Sequence, residues 1–399
     1  MRVLLVHSSA QLYGSDRALV NICKALKGRA GVRVLLPESG PLVAVLEAEG
    51  AEVAVMDVPV IRRRDLRPLQ FPVFVLGLLR SYLRLLRYVR EAAPDVVHAN
   101  TVAVFWVCYL RFLYPRARYV THVREIFRTD GWRGMAGRAV YRQVARHSDA
   151  VVAISRDVRD AVASAAPGCA SRLTLITDGL GYLGGARAAR PRDDVRRELG
   201  ISPDAAVIIC VARINAWKGQ DVLLDAFGLL RPGFPDARLL IVGDAFRGYE
   251  YLAEGLRRKA EDMGMSGAVT FTGFREDVAD LLGASDVFVL PSVRPEPFGL
   301  VVLEAMAAGL PVVATDGGGP RETVQDGVTG ILVPFSDPAA LAAAAVRLLS
   351  DPVLRESMGT QGRRYLDERF PDRLDATGLM AAYGFSSLHG FGQEAGDVL

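Results

Sequence analysis

The sequence predicts an α/β fold with two parallel sheets, one in each half of the chain, each flanked by helices. Short apolar runs typical of buried strands alternate with helical runs along nearly the whole chain, which is the pattern of a doubly wound sheet. The chain has 399 residues, too many for one hydrophobic core and suitable for two domains. Of these residues 50% are hydrophobic, enough to fill two cores.

The strands and helices of the first half follow in a regular order. Its predicted strands are Arg2 to Val6, Val32 to Leu36, Val53 to Met56, Val96 to His98, Tyr119 to Glu125, Ala150 to Ser155 and Leu173 to Ile176. A small-residue loop containing Gly14 separates the first strand from a helical run, Arg17 to Leu26. A strand, a small-residue loop and a helix form an anion cradle at the carboxyl edge of a sheet.

A basic helix is predicted from Phe71 to Glu91. Arg80, Arg84, Arg87 and Arg90 recur at spacings of three and four and therefore share one helix face. The run Arg62 to Arg67 precedes the helix and adds further positive charge. Two interpretations stay open: a solvated helix face, or a surface for anionic lipid or for a lipid-linked, phosphate-bearing acceptor.

The net charge of +3 conceals an asymmetry between the halves. Residues 1–180 hold 26 basic and 15 acidic residues, a net charge of +11, whereas residues 181–399 hold 22 and 30, a net charge of −8. A basic first half favours an anionic partner. No recognised nucleic-acid motif accompanies the charge, so we do not expect nucleic acid as a partner.

Cysteine usage and hydropathy bear on location. The four cysteines, Cys23, Cys108, Cys169 and Cys210, are scattered without a close pair, which suits a reducing cytosol and predicts neither disulfides nor a zinc site. The apolar N-terminus is far too short for a signal peptide, and the run Thr101 to Leu110 is too short to span a membrane. We expect a cytoplasmic protein, or one that is peripheral on the inner membrane surface.

The second half begins after a linker, Gly181 to Asp194, rich in Gly, Ala and Arg. Its predicted strands are the run ending at Val211, Arg238 to Asp244, Ala268 to Gly273, Val287 to Leu290, Pro311 to Thr315 and Gly330 to Pro334. Arg213 and Lys218 lie five apart in the loop after the first of these strands. Two cations there can bind a pyrophosphate, although a surface loop can also simply carry charge.

The stretch from Pro291 to Glu322 dominates the second half. A helix predicted from Phe298 to Ala308 would present free backbone N–H groups and the positive end of its dipole, which suits a phosphate. Glu296 precedes that helix and Glu304 lies inside it. A carboxylate accepts hydrogen bonds from vicinal hydroxyls, so these residues could hold a ribose and a sugar ring. The alternative is that Glu304 pairs locally and Glu296 is a solvated loop charge.

This stretch resembles the nucleotide-sugar signature of the retaining GT-B glycosyltransferases of family four. That large family includes sucrose synthase and many bacterial mannosyl- and glucosyltransferases. The matching residues are Glu296 to Leu300, Glu304 to Ala307, Gly309 to Val312, and Gly317-Gly318 with Glu322. The resemblance implies two facing Rossmann-like domains with an interdomain cleft. It places an N-terminal acceptor-binding domain at 1–182, a C-terminal nucleotide-sugar-binding domain at 195–370, a crossover helix at about 371–385 that returns to the first domain, and a flexible tail at 386–399.

The resemblance also implies roles for individual residues. Arg213 and Lys218 would contact the donor diphosphate and act in catalysis, Glu296 would contact sugar hydroxyls near C3 and act in catalysis, and Glu304 would bind the ribose. His122, at the end of a strand, resembles the active-site histidine that touches the C6 hydroxyl, although a lone histidine is more often structural. The remaining donor contacts would be Gly14, Phe274, Arg275, Phe298, Gly299 and Leu300. Asp178 stands where the family commonly has Asn, and we assign it no role.

The implied reaction transfers a sugar from a nucleoside-diphosphate sugar to a hydroxyl acceptor, with retention at the anomeric carbon. Polysaccharide, glycolipid or glycosylated-metabolite synthesis would be its setting. No Asp-x-Asp triplet occurs in the chain, so we expect no metal and no cofactor. The alternatives are a nucleotide-sugar epimerase and a non-catalytic nucleotide-sugar-binding protein. A dinucleotide oxidoreductase is disfavoured because no G-x-G-x-x-G turn joins a predicted strand directly to a predicted helix; the match at Gly179 to Gly184 runs into the linker.

Overall fold

The computed structural model describes residues 1–58, 71–132, 134–181, 188–370 and 374–385. It confirms the predicted fold class, because two parallel sheets are each flanked by helices. Four predicted features lie wholly or partly outside the described residues: the basic run Arg62 to Arg67, residues 182–187 of the linker, residues 371–373 of the crossover helix, and the tail 386–399.

The first sheet has seven strands in the order β3-β2-β1-β4-β5-β6-β7. These strands are Arg2–Val6 (β1), Gly31–Leu36 (β2), Glu52–Val55 (β3), Val96–Ala99 (β4), Arg118–Val123 (β5), Ala150–Ala153 (β6) and Leu173–Leu175 (β7). β1 is an interior strand, where Val3 pairs with Val32 of β2 on one side and with Val96 of β4 on the other. The chain reverses direction across the sheet between β1 and β4, so a crevice opens at their carboxyl ends.

Among the described residues, five helices and two 3₁₀ segments accompany strands β1 to β7 along the chain. They are Gly14–Leu26 (α1), Pro41–Ala48 (α2), Phe71–Ala92 (α3), Met135–His147 (α4) and Arg156–Ala165 (α5), with 3₁₀ segments at Val102–Phe112 and Pro167–Arg172. α1 begins three residues before the predicted start at Arg17. The reason is local: Tyr13 is its N-cap residue, and the buried Asp16 carboxylate accepts the Tyr13 backbone N–H at 2.9 Å.

The second sheet has six strands in the order β10-β9-β8-β11-β12-β13. These strands are Val207–Val211 (β8), Arg238–Val242 (β9), Val269–Gly273 (β10), Val287–Leu290 (β11), Val312–Thr315 (β12) and Gly330–Val333 (β13). The strand order reverses between β8 and β11. The loops after these two strands carry Lys218 and Glu296 respectively, and both therefore open onto the same crevice.

The helices of the second half are Arg192–Glu198 (α6), Gln220–Leu230 (α7), Tyr251–Asp262 (α8), Val278–Gly283 (α9), Leu300–Ala307 (α10), Pro320–Thr323 (α11), Pro338–Ser350 (α12) and Pro352–Arg369 (α13). α6 begins inside the predicted linker. α10 begins two residues later than predicted, at Leu300, because its N-cap residue Gly299 adopts a φ of 84°, a conformation that favours glycine.

The last described helix, Ala376–Ala382 (α14), returns to the first domain. Leu379 is buried in the core that also contains β1 residues. Tyr383 Oη lies 2.8 Å from His98 Nδ1, and Arg118 donates from Nε to the Ala382 carbonyl at 2.8 Å. Both ends of the described chain therefore contribute to one core.

The two domains also contact each other directly. The Glu322 carboxylate of the second domain accepts the Arg156 backbone N–H at 2.7 Å, at the positive end of α5. One buried apolar cluster contains residues of both domains, among them Ala18 of α1 and Phe298 and Leu300 beside α10. Within the described ranges, no helix is both long and apolar enough to cross a membrane.

Candidate functional site

A cavity of about 470 Å³ lies between the carboxyl edges of the two sheets. Both domains line it. The predicted site residues on its wall are Gly14, Arg213, Lys218, Phe274, Arg275, Glu296, Phe298, Gly299, Leu300 and Glu304. Apart from His122, every predicted donor-contact residue is thus brought to one cavity, although these residues come from segments far apart in the chain.

Glu296 and Lys218 form a close ion pair on the second-domain wall. Lys218 donates from Nζ to both Glu296 carboxylate oxygens, at 2.8 and 2.7 Å. Ser292 Oγ donates to Glu296 Oε2 at 3.0 Å. Glu296 is only 7% exposed, which rules out the solvated loop charge considered above. An ammonium group has three donors, so Lys218 retains the capacity to contact a bound phosphate while it holds Glu296.

The loop that carries Glu296 is held by backbone contacts with the glycine-rich loop after β12. Gly319 donates its backbone N–H to the Glu296 carbonyl at 2.7 Å, and Glu296 pairs with Gly318 as an isolated parallel bridge. Gly318 has a φ of 71°, and a Cβ added there would lie 2.7 Å from the Glu296 backbone nitrogen. Glycine is required because the two backbones touch.

Arg213 lies between two aromatic rings. Its guanidinium carbon is 3.5 Å from the ring centroid of Tyr13 in the first domain and 3.7 Å from that of Phe246 in the second. Such stacking orients a cation. Burial lowers the pKa of the Arg213 guanidinium. Tyr13 therefore closes one side of the diphosphate-binding loop predicted from Arg213 and Lys218.

Glu304 is paired with the opposite domain. Arg17 of α1 donates from Nη1 to Glu304 Oε1 at 2.7 Å, and both side chains are largely buried. The cation comes from the other domain, so the pairing is not the local one considered from the sequence. Glu304 consequently has two functions open to it: closing the cleft, and accepting hydrogen bonds from a ligand inside it.

The remaining predicted contacts surround these charges. The Phe274 ring packs on Tyr13 with ring centroids 5.6 Å apart, and its backbone N–H is donated to Asp244 at 2.9 Å. Arg275 lines the cavity, but its guanidinium donates to Asp277 at 2.6 and 2.7 Å and to Glu198 at 3.0 Å. These two carboxylates hold Arg275 in place at the cavity edge.

His122 lies apart from the other predicted site residues. It is fully buried and does not line the cavity. Its Nδ1 lies 3.3 Å from Arg124 Nη2, and its ring stacks on His98 with centroids 5.7 Å apart. Burial, and secondarily the Arg124 charge, lower the pKa of His98 to about 3 and hold the pKa of His122 well below its ordinary value. Both rings are therefore neutral at pH 7.

Arg124 and Glu125 take the place on the cavity wall that the sequence analysis gave to His122. Arg124 donates from Nη1 to Asp178 Oδ2 at 2.5 Å. The Glu125 Oε2 atom accepts the Val102 backbone N–H at 3.1 Å, and burial raises the pKa of the Glu125 carboxyl. The signal was present in the sequence, since charged residues directly follow a buried strand.

A buried polar chain fixes this wall. Asp16 Oδ1 lies 2.8 Å from His7 Nε2, His7 Nδ1 lies 3.1 Å from Asn100 Nδ2, and Asn100 accepts from Arg124 Nε through its side-chain oxygen at 3.2 Å and its backbone carbonyl at 3.0 Å. The chain connects the loop at Tyr13 with Arg124. Sequence reasoning missed it because His7, Asn100 and Arg124 follow three different strands and Asp16 lies in α1.

Two family models match the chain. The model described as "Glycosyl transferases group 1" matches residues 191–365, and the model described as "Glycosyltransferase Family 4" matches residues 13–180. These two ranges contain all six strands of the second sheet and strands β2 to β7 of the first.

Curated relatives agree. The GDP-mannose-dependent alpha-(1-6)-phosphatidylinositol monomannoside mannosyltransferase of Mycolicibacterium smegmatis is 36% identical over 256 residues, 61% of this chain and 64% of that protein. The protein of the same name from Mycobacterium tuberculosis is 34% identical over 272 residues, 64% of this chain and 68% of that protein. The chain thus spans less than two thirds of the first relative's length.

Solved structures show the same architecture. The crystal structure of Anabaena Alr3699/HepE in complex with UDP and glucose matches with a TM-score of 0.80 and 26% sequence identity. The match covers 93% of this chain and 96% of the Anabaena chain. Sucrose-phosphate synthase from Thermosynechococcus elongatus matches with a TM-score of 0.75 and 22% sequence identity, over 93% of this chain and 95% of that one. At this identity the match supports the fold and nothing further. Together with the geometry of the cleft, these matches establish that the chain belongs to glycosyltransferase family 4 and has the GT-B fold.

Proposed function

We propose that this glycosyltransferase transfers a hexose from a nucleoside-diphosphate sugar to a hydroxyl acceptor, with retention of the anomeric configuration. One observation carries the proposal: Arg213, Lys218, Glu296 and Glu304 line a single interdomain cavity. Cations and hydroxyl-binding carboxylates are the two groups that such a donor needs. The UDP and glucose present in the Anabaena structure support this choice of donor class.

In this proposal the two cations act on the leaving group. The bond between the anomeric carbon and the phosphate oxygen breaks, and its electron pair remains on the diphosphate. The acceptor oxygen bonds to the anomeric carbon on the same face, and the acceptor proton passes to the leaving phosphate oxygen. Arg213 and Lys218 stabilise that growing negative charge, and their positions are set in advance by the Tyr13 and Phe246 rings and by Glu296. Glu296 accepts hydrogen bonds from sugar hydroxyls and stabilises the positive charge that develops on the sugar ring. Glu304 accepts hydrogen bonds from the ribose hydroxyls.

We propose that the reaction needs no metal ion. The fixed charges of Arg213 and Lys218 supply the electrostatic stabilisation that a divalent cation gives in other transferases. In the part of the chain that the structure describes, no group of three or more His, Cys, Asp or Glu side chains could hold a metal.

We further propose that the acceptor is lipid-linked or anionic and that the protein works in the cytoplasm, at the inner membrane surface. Arg80, Arg84, Arg87 and Arg90 are all exposed on α3, and Leu79 and Leu83 beside them are 55% and 57% exposed. Exposed leucines among arginines suit an anionic lipid surface. The two mycobacterial relatives are named as mannosyltransferases of phosphatidylinositol monomannoside, which supports this choice.

The function is tested with a donor panel. The purified protein is incubated with UDP-, GDP-, ADP- and dTDP-sugars, with and without EDTA, and nucleoside diphosphate release is measured. We expect release from one donor class, unaffected by EDTA. Glu304→Ala should lower kcat/KM by about 10- to 100-fold, the loss expected for hydrogen bonds to a charged group. The control is Glu261→Ala, an exposed glutamate of α8. Failure of every donor to bind or react would contradict the proposal.

Membrane contact is tested by sedimentation with vesicles. The protein should pellet with vesicles containing anionic phospholipid, pellet less with neutral vesicles, and dissociate at high salt, since salt screens surface charges. The variant Arg80→Gln/Arg84→Gln/Arg87→Gln should lose this binding. Its control, Arg258→Gln/Arg347→Gln/Arg364→Gln, removes three exposed arginines from the second domain and should retain it. Equal binding of both variants would contradict a membrane role for α3.

A further inference from the structure

We propose that the Arg124–Asp178 pair is a binding subsite, on the first-domain wall of the cleft, for a hydroxyl group of the transferred sugar. The inference rests on the proposed transfer reaction and adds a contact that the sequence analysis assigned to His122. Both side chains line the cavity, and both are buried, at 7% and 3% exposed.

The position of Arg124 is fixed from three sides. Nη1 donates to Asp178 Oδ2 at 2.5 Å, Nε donates to the Asn100 carbonyl at 3.0 Å, and Nη2 lies 3.3 Å from His122 Nδ1. The neutral His122 ring can accept this bond, because burial keeps it unprotonated. A buried arginine that is held this firmly loses little freedom when a ligand binds.

The pair retains unused hydrogen-bonding capacity. A guanidinium has five N–H donors, and the contacts above occupy one on each nitrogen, which leaves one on each terminal nitrogen without a partner among the described residues. Asp178 Oδ1 is buried and, within the same part of the chain, has no partner either. An unpaired buried carboxylate oxygen is costly. A ligand that both donates and accepts hydrogen bonds would satisfy both residues.

The chemistry of the pair selects a hydroxyl group. Arg124 and Asp178 compensate each other's charge, so the subsite does not call for an anion, and the open Asp178 oxygen would repel one. A hydroxyl can donate to Asp178 and accept from Arg124 at the same time. On the other domain, Glu296 can only accept hydrogen bonds. A sugar ring between the two walls therefore meets acceptors on one side and a mixed donor–acceptor pair on the other.

His122 acts through Arg124 in this arrangement. It does not line the cavity, and its Nδ1 contacts the guanidinium at 3.3 Å. It is therefore a positioning residue. This arrangement also explains why residue 178 is Asp where the family commonly has Asn. A carboxylate balances the positive charge of the buried arginine, whereas an amide would not.

The test measures the coupling between the pair and individual sugar hydroxyls. Donors that lack one ring hydroxyl at a time are compared with the parent donor in wild type and in Arg124→Gln/Asp178→Asn, which leaves no buried charge unpaired. kcat and KM are measured for donor hydrolysis without acceptor, and donor binding is measured by calorimetry. The control is Arg128→Gln/Asp130→Asn, which removes an exposed Arg–Asp pair. Thermal melting verifies folding, and Arg124→Lys serves as a second variant that keeps the charge.

In wild type and in the control, we expect one deoxy donor to lose about 10- to 100-fold in kcat/KM, as for a hydrogen bond to a charged group. The Arg124→Gln/Asp178→Asn variant should show that loss already with the parent donor and change less than about twofold with the deoxy donor. The same penalty in variant and wild type for every deoxy donor would overturn the inference and leave the proposed function intact. If the substitutions at Arg124 and Asp178 altered the deoxy-donor penalty only when acceptor is added, the inference would also be overturned. An inactive wild type would overturn both.

Discussion

Replacing Lys218 with alanine should lower kcat by about 10²- to 10³-fold, the loss typical of removing one preorganised group that stabilises charge in a transition state. Lys218 holds both oxygens of the buried Glu296, and in the proposed reaction it also meets the leaving diphosphate. The substitution therefore removes one of two phosphate-binding cations and the partner of the sugar-binding carboxylate. Steady-state release of nucleoside diphosphate from the preferred donor measures the effect.

The matched control for this variant is Lys259→Ala. Lys259 also forms a lysine–carboxylate pair in the second domain, with Asp225 at 2.7 Å, but that pair is at the surface. Surface pairs contribute about 0–1 kcal/mol, so this variant should keep its activity and nearly all of its stability. If Lys218→Ala kept more than about a third of wild-type kcat, the assignment of Lys218 to the leaving group would be wrong.

Replacing Gly318 with alanine should reduce kcat/KM by about 10²-fold, because it displaces the backbone that fixes Glu296 and misplacement of a catalytic group by about 1 Å costs that much. The added Cβ would collide with the Glu296 backbone, including its nitrogen at 2.7 Å. The positive φ of 71° adds strain. Overpacking and the left-handed conformation together should lower the free energy of unfolding by about 2–5 kcal/mol.

The variant Gly327→Ala separates the effect of backbone strain from the effect of the steric collision in Gly318→Ala. Gly327 has a φ of 74°, nearly that of Gly318, but nothing lies within 4 Å of a Cβ added there. It should lose about 1–2 kcal/mol of stability from the backbone conformation alone and keep full activity. Chemical denaturation and steady-state kinetics of both variants make the comparison. Equal activity of the two variants would show that the contact between Gly318 and Glu296 does not position the site.

Much of the fold could be predicted from local patterns. Buried strands are apolar runs of four to six residues, such as Val287–Leu290, and the glycines and prolines between them mark the loops. The loop residues Arg213, Lys218 and Glu296 follow such strands directly. The carboxyl ends of parallel strands lie at one edge of a sheet, so residues in these loops could be expected to meet.

Contacts between the domains could not be predicted in this way. Arg17 and Glu304 are 287 positions apart, and no local pattern relates them. The stacking of Tyr13 on Arg213 depends on how closely the two domains approach. His122 lies on β5 and Arg124 directly follows it, and only the packing of that strand's end decides which of them reaches the cavity.

The anomeric configuration of the first product shows whether the sugar is transferred with retention, as we propose. A proton NMR time course is recorded for the wild-type protein with its preferred donor and an acceptor, or with water as the acceptor when none is known. We expect the first product signal to have the same anomeric configuration as the donor and to appear as nucleoside diphosphate is released. A first product of the opposite configuration would contradict the retaining mechanism that we propose for Glu296, Arg213 and Lys218.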